Sequence, residues 1–174
     1  MASDFINEKF STRAKSALKS AQKISQELKA PYIGTEHLLY GIVVELSSFA
    51  SEVMLKHRIS EQAMRLELAR INTASGVVAT WQPKISANLK AVLERSAILA
   101  SRYQYQFIGT EHFLYAIVDS PNNKAQTVLT KLNIDPAEIR KNMFSIFENI
   151  AKFPESLDFR ETPAKLAEDP MAAG

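Results

Sequence analysis

Apolar residues recur along this chain at helical spacing, and the pattern runs twice. From about Ser11 to Leu28, the residues Ala14, Ala17, Leu18, Ala21, Ile24 and Leu28 fall on one stripe, which predicts an amphipathic helix with Phe10 at its start. At an offset of 75, Leu89, Val92, Leu93, Ser96, Leu99 and Tyr103 occupy the same positions, with Ile85 in place of Phe10. A short turn follows, Lys29-Ala-Pro-Tyr-Ile-Gly34 or Gln104-Tyr-Gln-Phe-Ile-Gly109, and then Thr35 or Thr110 as a good N-cap. The second helix carries Leu38, Leu39, Ile42, Val43 and Leu46 inward, matched by Phe113, Leu114, Ile117 and Val118. A third, shorter helix covers about Phe49 to His57. A fourth starts at Ser60, with Asp135-Pro136 as cap and first-turn proline in the copy. Phe144, Phe147 and Ile150 read as core of the last helix.

The repeat is densest at Ile33-Gly-Thr-Glu-His-Leu-Leu-Tyr-Gly-Ile-Val43 and Ile108-Gly-Thr-Glu-His-Phe-Leu-Tyr-Ala-Ile-Val118, where nine of eleven residues agree. A core alone would require the apolar positions to match; here the polar Thr-Glu-His matches too. The expected fold is all-α, a duplicated four-helix repeat forming one pseudo-two-fold helical domain over residues 1–152. Half one spans about 5–71, a crossing loop 72–84, and half two about 85–151. Beyond about Lys152 the periodicity fades and Pro154, Pro163 and Pro170 interrupt a polar stretch, so 153–174 reads as a tether.

Composition narrows the function. With 21 basic and 19 acidic side chains the net charge is +2, too small for nucleic acid or an acidic membrane to be the default partner. Zero cysteines exclude disulfides and thiolate chemistry, and no apolar run approaches the roughly 18–20 residues of a membrane span. The N-terminus lacks a signal peptide's basic start and apolar stretch, so a soluble, cytoplasmic protein is expected. Glycines stand only at 34, 41, 76, 109 and 174, and no Gly-rich loop ends in Gly-Lys-Ser/Thr, which excludes ATP hydrolysis by these residues.

The chemistry on offer lies at Gly-Thr-Glu-His. If Thr35 caps its helix, Glu36 takes the first helical position, where the helix dipole favours its ionised form. Since the inward stripe begins at Leu38, Glu36 and Glu111 are expected at the rim, open to a guanidinium or ammonium from a partner. Ordinary first-turn stabilisation, about 0.3–1 kcal/mol, explains the same glutamates without a ligand. His37 and His112 read as structural: neighbouring helical residues diverge by about 100° and no zinc-protease spacing is present, so no metal or other cofactor is expected. Lys15, Lys19 and Lys23 read as a solvated helix face. Phe5, Val77, Val78 and Trp81 are candidates for an apolar groove that takes a partner segment, the alternative being that Trp81 seals the two halves together.

The doubled Ile-Gly-Thr-Glu-His segment, with the Phe10-Ser-Thr-Arg-Ala-Lys opening, resembles the N-terminal domain of the Clp ATPases, closest to the ClpC type, from about Phe5 to Ile150. The second half departs from the family's Thr-Pro-Arg-Ala with Ser86-Ala-Asn-Leu. The resemblance implies a substrate- and adaptor-binding domain of an ATP-driven unfoldase that feeds a peptidase, the ring belonging to a longer chain. It also implies that Glu36 and Glu111 bind the guanidinium of phosphorylated arginines on client proteins, with Thr35 and Thr110 as phosphate or capping contacts. Two equivalent sites would let a multiply modified client gain from effective concentration. The alternative under the same resemblance is an adaptor-docking domain that never contacts client side chains.

Overall fold

The computed structural model describes residues 7–72 and 84–152, together with all side chains in those ranges except those of 150–152. Among them are α1 (Thr12–Glu27), α2 (Thr35–Val44), α3 (Phe49–Lys56), α4 (Glu61–Ile71), α5 (Ala87–Arg102), α6 (Thr110–Asp119), α7 (Lys124–Lys131) and α8 (Pro136–Lys152). Each half thus contributes the same four helices, and the described residues form no strand. Phe5, Val77, Val78 and Trp81 lie outside the described residues, as do most of the crossing loop and the tail.

The helices begin where side chains satisfy the first backbone donors. Ser11 Oγ accepts from Ala14 N at 3.1 Å and Ser86 Oγ from Leu89 N at 3.0 Å, so the serine of the divergent Ser86-Ala-Asn-Leu segment keeps a working cap without a proline behind it. Ser48 and Asn123 cap α3 and α7, and Ser60 caps α4. The turns repeat as faithfully as the helices. Lys29 and Gln104, Ser47 and Asn122, and Arg58 and Asn133 are three pairs at the 75-residue offset, and all six have positive φ between 53° and 67°.

The two halves interlock. Phe10 bridges to Ile108 and Ile33 to Ile85, the second bridge being the first with its halves exchanged. Four backbone hydrogen bonds carry these bridges: Ser11 N to Ile108 O (2.9 Å) and Ile108 N to Lys9 O (2.8 Å), mirrored by Ser86 N to Ile33 O (2.9 Å) and Ile33 N to Lys84 O (2.7 Å). Helix packing follows the same two-fold: α2 touches α6, α1 touches α6 as α5 touches α2, and α2 touches α7 as α6 touches α3. The motif helices therefore sit at the centre. α2 is buried from Thr35 through Ile42 and α6 from Thr110 through Val118.

Gly41 lets α1 and α2 approach closely: a Cβ there would lie 2.1 Å from the Ala17 carbonyl oxygen. Two expected core residues fall elsewhere. Leu46 is 69% exposed because α2 ends at Val44, and Phe144 is 49% exposed because it lies one residue off the buried Ile139, Met143 and Phe147 stripe of α8. No single described helix is long and apolar enough to cross a membrane.

Candidate functional site

The Gly-Thr-Glu-His segment starts its helix one residue earlier than the threonine reading holds. Gly34 and Gly109 are the N-caps, with extended backbone (φ −112° and −106°), and Thr35 and Thr110 are the first helical residues. The histidine three residues on completes each cap. Gly34 N donates to His37 Nδ1 at 2.8 Å, and Gly109 N to His112 Nδ1 at 2.8 Å, the role that Glu or Gln plays in a capping box. Accepting at Nδ1 assigns the proton to Nε2 and requires a neutral ring. Burial holds both rings neutral, lowering His37 to about 4, with Lys124 adding to the effect, and His112 to about 3. The short His37–Glu36 (3.7 Å) and His112–Glu111 (3.4 Å) approaches are therefore not ion pairs.

Shifting the cap by one residue turns the glutamates inward. Glu36 is 3% exposed and Glu111 2% exposed, which corrects the expectation that they stand open at a rim. The retained polar triplet belongs to the core, so its duplication does not by itself signal an exposed surface. Glu36 folds back over Gly34, where a Cβ would meet Glu36 Oε1 at 1.7 Å. Glycine at 34 leaves the carboxylate this space, while its φ is open to any residue, so a side chain there would displace Glu36 without straining the backbone. Glu36 Oε1 is buried without a hydrogen-bond partner. Desolvation raises the Glu36 pKa above its usual 4.5, against the opposing pull of its own backbone N–H and of Lys124.

Residues from the other half complete this site. Thr35 Oγ1 donates to Asn123 Oδ1 at 3.3 Å and accepts from Ala125 N at 3.2 Å, so it helps cap α7 across the two-fold and does not cap α2. Between them, Lys124 places Nζ 3.9 Å from Glu36 Oε2. That ammonium donates to Tyr32 OH at 3.3 Å and lies 5.4 Å from the Tyr32 ring centroid. Ala30, Tyr32, Glu36, Ile71, Asn72 and Lys124 help line a cleft of about 210 Å³, the size of one side chain.

Half two surrounds its histidine with different residues. At the 75-residue offset Ala30 becomes Tyr105, Asn72 becomes Phe147 and Lys124 becomes Phe49. Phe147 stacks on His112 (centroids 5.5 Å, 15°) and on Tyr103 (5.3 Å, 18°), while Tyr105 meets the His112 ring edge-on at 4.4 Å. These rings pack around His112. Thr110 is fully buried. The sequence reading missed Lys124, Asn123 and Tyr32; the signal available was the offset itself, at which a lysine and a phenylalanine are exchanged. Among the described residues, no three acidic, histidine or cysteine side chains cluster as a metal site would need.

The profile of the Clp repeat (R) N-terminal domain matches residues 9–132 and again 84–158. The chain is similar to a probable ATP-dependent Clp protease ATP-binding subunit of Chlamydia pneumoniae, 33% identical over 142 residues, which is 81% of this chain and 17% of that protein. It is also similar to the chloroplastic chaperone protein ClpC1 of Arabidopsis thaliana, 31% identical over 134 residues, 76% of this chain and 14% of that one. This sequence thus spans about a sixth of the length of such relatives. Among solved structures, the N-terminal domain of the chaperone ClpD from Arabidopsis thaliana superposes with a TM-score of 0.67 at 19% identity, covering 82% of this chain and 97% of that one. A ClpV N-domain in complex with a VipB peptide superposes at 0.61 with 18% identity, covering 88% and 91%. Two family matches laid over a duplicated all-helical fold place this chain in the Clp repeat N-terminal domain family.

Proposed function

We propose that this chain is a recognition domain that captures client or adaptor proteins for an ATP-driven Clp unfoldase and its peptidase, and that its Glu36 cleft takes the side chain of a phosphorylated arginine. The observation that carries the reading is the Glu36 carboxylate, 3% exposed, with Oε1 unpartnered and a one-side-chain cleft before it. Burying a carboxylate without full pairing is costly, and in a cleft such a group marks the place where a ligand supplies the missing donors. A guanidinium does so with two parallel N–H groups. Glu36 would repel a phosphate beside it, and Lys124, 3.9 Å away, is the cation that answers this repulsion.

At the 75-residue offset Phe49 stands in place of Lys124, so the reading assigns the complete site, carboxylate with cation, to Glu36. Family membership and the peptide held by a ClpV N-domain of the same fold support a peptide-binding role. Calorimetric titration with free phosphoarginine, against arginine and phosphoserine, tests it. Expected is selective binding near one site per chain, weakened roughly tenfold or more by Glu36→Gln, the loss of a charge-assisted contact. No binding at millimolar ligand overturns the reading in favour of adaptor docking.

A further inference from the structure

Lys124 sits where helix stability alone would not place it. It is the first residue of α7, whose first turn holds no acidic side chain, and a cation at a helix N-terminus opposes the dipole. Its side chain is 53% exposed, and its nearest approach to Glu36, 3.9 Å, is too long for a hydrogen bond. Its one donated bond among the described residues runs to the Tyr32 hydroxyl. The cleft therefore sets a buried carboxylate beside a half-exposed ammonium that is near it without being hydrogen-bonded to it.

We infer that Lys124 is the specificity-determining residue of the Glu36 cleft: its ammonium is the resident counter-ion of the carboxylate, and it is released productively only to a ligand that brings an anion together with its cation. This inference rests on the reading that the cleft binds a side chain. A plain arginine or lysine exchanges one cation for another at Glu36 and leaves Lys124 displaced beside a like charge. A plain phosphate meets Lys124 but also meets Glu36. A guanidinium joined to a phosphate satisfies both groups, so Lys124 turns a generic carboxylate pocket into one that demands a dipolar side chain. The residue at the 75-residue offset from Lys124 is Phe49, so the inference concerns the Glu36 cleft of half one.

The test is calorimetry of the intact chain with phosphoarginine and with arginine, for the native protein, Lys124→Met and Lys124→Arg. Methionine keeps the apolar stem on a half-exposed position, and an unchanged denaturation midpoint verifies the fold. Expected is that Lys124→Met weakens phosphoarginine roughly tenfold or more while arginine binds more tightly than to the native protein, and that Lys124→Arg restores the native preference. If the native chain binds phosphoarginine and Lys124→Met leaves the phosphoarginine-to-arginine ratio unchanged, the inference falls and the proposed function stands. If the native chain binds neither ligand, the proposed function falls. Arginine binding gained by Lys124→Met then upholds the resident counter-ion, and its absence overturns it.

Discussion

At Gly34 one missing methylene group decides where a carboxylate goes. Adding a Cβ puts it 1.7 Å from Glu36 Oε1, the far end of a flexible side chain, so the chain can yield by swinging the carboxylate away. Gly34→Ala is expected to cost about 1 kcal/mol of stability as a poorer N-cap, and to abolish binding at the cleft while the helix content stays intact. Denaturant unfolding and ligand titration on the same sample check both halves of that statement. Thr35, Glu36 and His37 stood out in the sequence through their duplication, whereas Lys124, Asn123 and Tyr32 did not, and the placement of all six was out of its reach. A threonine is so common a cap that the sequence favours Thr35, yet His37 can accept from the Gly34 N–H, and the resulting one-residue shift rotates Glu36 by about 100° into the interior.

Helices were the readable unit, because each apolar stripe appears in two copies that check one another. Errors arose where a stripe was extended past a cap, as at Leu46, or widened by one residue, as at Phe144. The helix ends carry information that periodicity does not. After α5, Gln104 N bonds to Ser101 O at 3.1 Å and Tyr105 N to Ala100 O at 2.8 Å, a Schellman ending with Gln104 at φ 59°. α1 ends the same way, with Lys29 at φ 53°. These are positions where glycine is ordinarily favoured, so Gln104→Gly is expected to raise the unfolding free energy by about 0.5–1 kcal/mol, relief of left-handed strain partly offset by chain entropy. A higher midpoint in urea with an unchanged slope is the expected result.

Across the whole molecule, contacts between halves were beyond the reach of sequence: nothing local tells that Thr35 meets Asn123 and Ala125 from the far copy, or that Lys124 overhangs Glu36. The neutral histidines give this assembly a pH signature. Unfolded, each takes up a proton near pH 6.5, whereas folded His37 and His112 resist until about 4 and about 3. Between those limits the unfolded chain binds more protons, so stability falls as pH drops below about 6.5, by at most about 1.4 kcal/mol per pH unit for each histidine. Glu36, with its raised pKa, acts in the opposite sense and returns part of that loss once it protonates. Denaturation midpoints measured from pH 7 to 5 are expected to fall, and His37→Gln, which keeps a cap acceptor but cannot titrate, to flatten the slope by about one proton. The exchanged bridges, Phe10 with Ile108 and Ile33 with Ile85, bear on ancestry as well. Each is the other under the two-fold, so a lone repeat carries both members of one complementary pair and can satisfy neither within itself. Two identical single-repeat chains can satisfy both at once, which makes a symmetric homodimer, later fused head to tail, the natural forerunner of this domain.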